Sequence, residues 1–179
     1  MKKALYTTLA VVVGLSTSVS LHAIESTIET SYMLQDKDGK KKPPKSKKVE
    51  AMLPETGKAI TKVVELYELK DYQAAMAELD KLKKRHDRGK LKGVGSATMF
   101  QFLGTIYYEL EQPKKTIEMY EEFLKYKDSV NEGTYLQVLF QVGQLKFAEA
   151  LDMPEGTART RAIKDVQSIF LRWEREATV

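Results

Sequence analysis

The chain has 179 residues, 42% of them hydrophobic and 30% charged, with a formal net charge of +4. That is enough apolar material to fill one packed domain. It has no cysteine and only two histidines, His22 and His86. A disulfide framework, a thiolate metal site and a cysteine nucleophile are excluded, and bases and metal ligands are scarce.

The first 23 residues, "MKKALYTTLAVVVGLSTSVSLHA", pass from Lys2 and Lys3 through an apolar run to small and polar residues ending at Ala23. This order predicts a secretory signal cleaved after Ala23, and the run from Ala4 to Leu15 is short for a bilayer span. No cysteine follows to carry a lipid. Cleavage removes Lys2, Lys3 and His22, lowering the formal charge from +4 to +2. A nearly balanced exported chain is a poor ligand for nucleic acid, whose affinity comes from cations neutralising phosphates.

Residues 24–53 are predicted to be a linker. Within them "KDGKKKPPKSKK" holds seven lysines and two adjacent prolines, with no aliphatic or aromatic side chain to bury. Charge runs of this kind are commonly solvated tails. The same lysines also suit contact with an anionic lipid surface or an acidic partner.

From residue 54 onward the apolar period is helical. Ile60, Val63, Val64, Leu66 and Tyr67 mark one helix, and Tyr72, Ala75, Met76, Leu79 and Leu82 a second. Between them "ELKDY" breaks the pattern and offers Asp71 as an N-cap. In "FLGTIYYELEQPKKTIEMYEEFL", Pro113 is expected in the first turn of a new helix, where its missing N–H costs nothing. Gly104, mid-helix, is expected where a neighbouring helix comes close, offsetting a propensity cost of about 1 kcal/mol. A third pair follows: "YLQVLFQVGQLKFAEAL" with Gly143, the turn "DMPEGT", then "ARTRAIKDVQSIFLRWE". Gly143 stands 39 residues after Gly104, and Val63 stands 41 before it. Three helix pairs at near-constant spacing predict a repeat array.

These residues resemble the tetratricopeptide repeat family. Phe100, Leu103, Gly104 and Tyr107 match the first helix of its motif, and Tyr120 and Phe123 the second, with Thr116 where alanine is usual. Ala75 and Ala162 match that alanine in the outer units. Val63 replaces the glycine, Lys146 the tyrosine-like residue, and the spacing exceeds the usual period of about 34. The resemblance implies an all-α fold, a short TPR-like α-solenoid of about three helix pairs over residues 54–179. The order of signal, basic stretch and "GKAITKVVELYELKDYQAAMAELDKL" is similar to periplasmic tetratricopeptide proteins that accompany TonB-type transport systems, which implies an accessory role in energy transduction or uptake.

Motifs of catalysis are missing. "GKAIT" lacks the first glycine and the Ser or Thr of a phosphate loop, and no H-E-x-x-H, G-x-S-x-G or calcium loop occurs. His86, between Arg85 and Asp87, reads as an exposed polar residue of an inserted loop. No enzyme, metal site or cofactor is expected. Function then falls to a surface: stacked first helices line a groove for peptides or extended segments. Tyr67, Tyr108 and Phe147 recur four residues after Val63, Gly104 and Gly143, and Gln101, Thr105, Gln137, Phe140 and Gln144 are expected to point inward beside them. The same aromatics would also serve as packing between helices. Two readings follow. One is a periplasmic adaptor for a protein or peptide partner in the cell envelope. The other is a structural subunit in outer-membrane, pilus or cell-wall assembly that uses its repeats to oligomerise. The only tryptophan, Trp173, is expected against Ile169 and Phe170 if the last helix caps the array.

Overall fold

The structure, a computed structural model, describes residues 51–178. The expected signal at 1–23 and residues 24–50 of the expected linker lie outside the described residues. Within them the fold is all-helical: α1 (Pro54–Glu68), α2 (Tyr72–Asp87), α3 (Gly93–Glu109), α4 (Pro113–Leu124), a 3-10 turn at Lys127–Ser129, α5 (Glu132–Asp152) and α6 (Thr157–Ala177). α1 packs on α2, α3 on α4 and α5 on α6, and each pair also meets the next through α2 with α3 and α4 with α5.

The breaks fall where the side chains demand them. The Asp71 carboxylate accepts from the Ala74 amide at 3.0 Å and caps α2, and Pro113 opens α4. Asn131 caps α5 by accepting from the Gly133 amide at 2.8 Å. α1 and α3 end in the same way. Lys70 (φ 58°) and Glu111 (φ 54°) take left-handed backbone. Asp71 N–H donates to the Leu66 carbonyl and Lys70 N–H to that of Tyr67; Gln112 and Glu111 repeat the two bonds to Tyr107 and Tyr108. This is the Schellman closure, built twice at an offset of 41 residues without the glycine that usually occupies its left-handed position.

The glycines explain how the pairs close. A Cβ on Gly104 would stand 2.3 Å from Tyr120 Cε1 and 2.4 Å from Cδ1, so the α4 ring lies directly on the α3 backbone. A Cβ on Gly143 would meet Phe170 Cε1 at 2.8 Å and Ile169 Cγ2 at 3.3 Å in the last pair. Val63 and Leu79, at the equivalent places of the first pair, are both fully buried. Four residues before Tyr120 and Leu79 stand Thr116 and Ala75, both buried; four before Phe170 stands Val166, also buried. Val166, not Ala162, therefore occupies the small-residue place in the third pair, because the turn at 153–156 and the longer helices shift the register.

α3 is the central helix. Its Gly95, Ser96, Ala97, Met99, Phe100, Phe102, Leu103 and Ile106 are all buried, as expected of a helix apolar on every side. The α2–α3 connection corrects the reading of His86, which belongs to α2 and is half-buried. Its Nδ1 lies 2.9 Å from Ser96 Oγ, and that hydroxyl donates to the Leu91 carbonyl at 2.9 Å. With the serine proton committed, Nδ1 is the donor of the pair. The imidazole sits edge-on to Phe100 at 5.1 Å and 6.5 Å from the Tyr126 ring. At the far end, Arg172 of α6 donates to the Tyr135 hydroxyl on α5, and Glu176 accepts from Lys127 at 2.9 Å and from Arg172 at 3.0 Å. Burial pushes the Glu176 carboxyl up, but these two cations hold it below the usual carboxylate range.

Among the described residues one buried side-chain polar atom is orphaned. Thr56 is fully buried at the start of α1 and its hydroxyl has no hydrogen-bond partner. Thr56→Val keeps the shape and removes the desolvation cost, and is expected to stabilise the domain by about 1 kcal/mol, read as a raised denaturation midpoint.

Candidate interaction surface

The residues expected to line a groove fall into two groups. The first joins the first two pairs. Tyr67, at the end of α1, donates to Glu109 Oε1 at 3.2 Å, and Tyr72, at the start of α2, donates to Oε2 of the same carboxylate at 3.4 Å. The two rings lie 5.7 Å apart. Thr105 sits beneath: its hydroxyl donates to the Gln101 carbonyl at 3.0 Å and lies 3.4 Å from Tyr120 Oη. Burial, reinforced by Glu109, lifts the Tyr67 phenol well above its ordinary range, and the same two causes raise Tyr108. Burial pushes Tyr120 up to about 12, with the Thr105 hydroxyl pulling the other way. Tyr67 and Tyr72 thus share the Glu109 carboxylate, whose charge also reaches Tyr108, while Thr105 joins this cluster through Tyr120, with Gln101 half-buried one turn before it.

The second group is a stripe on α5. Gln137, Phe140, Gln144 and Phe147 recur at three- and four-residue steps and share a helix face. Gln137 and Gln144 are half-buried, while Phe140 and Phe147 are 36% and 42% exposed. Leu151, one turn further and 37% exposed, continues the stripe, and the exposed Met153 follows it into the turn. Phe140 differs from its neighbours on this face: it packs on α6, 5.5 Å from the Phe170 ring and 5.2 Å from Trp173. Trp173 is half-buried, and Phe140 is the ring it rests on.

Sequence reasoning missed Glu109 and Tyr72, whose roles arise only from the contact between pairs. It also missed Leu151, although a leucine four residues after Phe147 was there to be read. Among the described residues no group of three or more histidines and carboxylates could hold a metal ion, and no helix is long and apolar enough to cross a membrane.

The class these observations define is an all-helical domain of stacked antiparallel pairs carrying a partly exposed aromatic stripe. Comparison with family models, curated proteins and solved structures gives no match.

Proposed function

We propose that the chain is a non-catalytic adaptor of the cell envelope, a short TPR-like array exported to the periplasm, whose α5 face binds an extended segment of a protein partner. The observation that carries this reading is the double character of α5. One side buries Tyr135, Val138, Leu139, Val142 and Leu145 in the core, while the other keeps Phe147 and Leu151 in solvent beside the amides of Gln137 and Gln144. Exposed aromatics flanked by amides suit a peptide, since the rings supply area and the amides meet backbone polar groups. The resemblance to periplasmic repeat proteins of TonB-type systems supports a transport complex as the setting.

A second reading, a structural subunit of an envelope assembly, is supported by Leu171. It stands 62% exposed on the outer side of the last helix, where another array would stack. The two readings separate in one experiment. Tagged chain is used to capture partners from a periplasmic extract, beside Phe147→Glu/Leu151→Glu and Leu171→Glu. The adaptor reading expects a captured protein to be lost with the α5 pair and kept with Leu171→Glu. Loss of self-association with Leu171→Glu alone, and no partner dependent on α5, would favour assembly instead.

A further inference from the structure

The charge of this chain is unevenly placed. Residues 51–178 carry 20 lysines and arginines against 20 aspartates and glutamates, so the whole excess of +4 (29 minus 25) comes from the first 50 residues, with nine against five. Inside the neutral domain the cations gather at one place. Residues 81–92, "KLKKRHDRGKLK", form the end of α2 and the connection to α3 and hold seven cations against the single Asp87.

Three of those cations are engaged: Lys81 with Glu78, Lys83 with Asp87, and Arg85 with Glu55. Lys84, Arg88, Lys90 and Lys92 are exposed and stand outside these pairs. The frame beneath them is fixed. Gly89 (φ 69°) closes the helix, with its N–H on the His86 carbonyl at 2.7 Å and that of Lys90 on Arg85 at 2.9 Å. Leu91 is buried, its carbonyl is held by Ser96, and His86 braces Ser96 from the other side. The apolar and aromatic groups of this connection point inward, and apart from Asp87, paired with Lys83, the charge displayed is cationic.

α1 begins at this edge, as the Arg85 Nη2–Glu55 Oε2 contact at 3.4 Å shows.

We propose that this edge docks on an anionic lipid surface. Lysine-rich charge displayed without exposed aromatics or amides offers attraction but no shape to recognise, which fits a plane of headgroups better than a folded partner. The docking is independent of the α5 reading. It would leave the turns after α1, α3 and α5, at the opposite ends of the antiparallel pairs, turned away from the bilayer.

The test is flotation of the full chain with vesicles of phosphatidylcholine alone and of phosphatidylcholine mixed with phosphatidylglycerol. The variant Lys84→Glu/Arg88→Glu/Lys90→Glu/Lys92→Glu is run beside it, with a four-fold Gln variant as a milder change and circular dichroism to confirm folding. The apolar run at residues 4–15 is common to all the proteins and both vesicles, so the anionic-to-zwitterionic ratio is the readout. Each basic residue near an anionic bilayer is worth about fivefold in partition, so that ratio should fall by roughly 600-fold when the four are neutralised and further on reversal. Salt should weaken the wild-type binding. An equal ratio for wild type and reversed variant overturns the proposal. So does displacement by inorganic phosphate beyond that caused by chloride at equal ionic strength, which would assign the edge to a free anion.

Discussion

Gly104→Ala is expected to lower the stability of the domain by about 2 kcal/mol, although alanine is the better helix former. The added methyl would sit 2.3 Å from Tyr120 Cε1, far inside van der Waals contact. Tyr120 is 5% exposed and lies on α4 between neighbours, so its ring has nowhere to swing. Overpacking a tight core costs about 1–3 kcal/mol and sometimes more, against a propensity gain of about 1 kcal/mol. At roughly 4 °C per kcal/mol for a domain of this size, the melting temperature should fall by about 8 °C. Gly143→Ala should cost less, since the Phe170 ring it meets is only half-buried and can yield toward solvent. If Gly104→Ala melts with or above the wild type, the close α3–α4 contact is wrong.

The second large effect is alkaline. An unperturbed tyrosine titrates at 10.0, whereas burial pushes Tyr120 up to about 12 and lifts Tyr67 beyond its ordinary range with the help of Glu109. Below pH 10 both folded and unfolded chains hold these protons and stability is complete. As pH rises from 10 toward 12 the unfolded chain releases them while the folded chain does not, so stability falls through that window. Tyr120 alone accounts for about 3 kcal/mol of that loss, taking roughly 1.4 kcal/mol per pH unit. Helical circular dichroism should therefore collapse together with the rise of phenolate absorbance. Tyr120→Phe, which keeps the ring on Gly104 and deletes the titrating group, should move the collapse to higher pH. Full phenolate absorbance near pH 10 with the helices intact would contradict the burial of this cluster.

Much of the architecture was legible because it is written in residues with few alternatives. Asp71 before an apolar period, Pro113 after "ELEQ", and two glycines in strong helices admit few readings, and each stands where its chemistry requires. What failed to read was long-range. His86 looked like a loop residue because its partners, Ser96 and Phe100, come from the next helix and are polar or aromatic for reasons of their own. Ala162 took the place that belongs to Val166 because residues added on both sides of the last turn are invisible to a fixed spacing. Of the expected surface, Phe147 and Gln144 could be placed on one face by period alone. That Phe140 would pair with Trp173, or that Tyr67 would share a carboxylate with Tyr72, depends on which helix lies opposite, and helical period carries no such information.

The twin closures at Lys70 and Glu111 make the backbone joints of the first two pairs interchangeable, but the side chains beyond them are not. Leu79 is matched to a position filled by Val63, whereas Tyr120 is matched to the bare backbone of Gly104. Exchanging α2 and α4 would seat a phenol ring against valine and leave a hollow over the glycine, failing by collision at one junction and by vacancy at the other. Volume works here as an address, telling each second helix which first helix is its own.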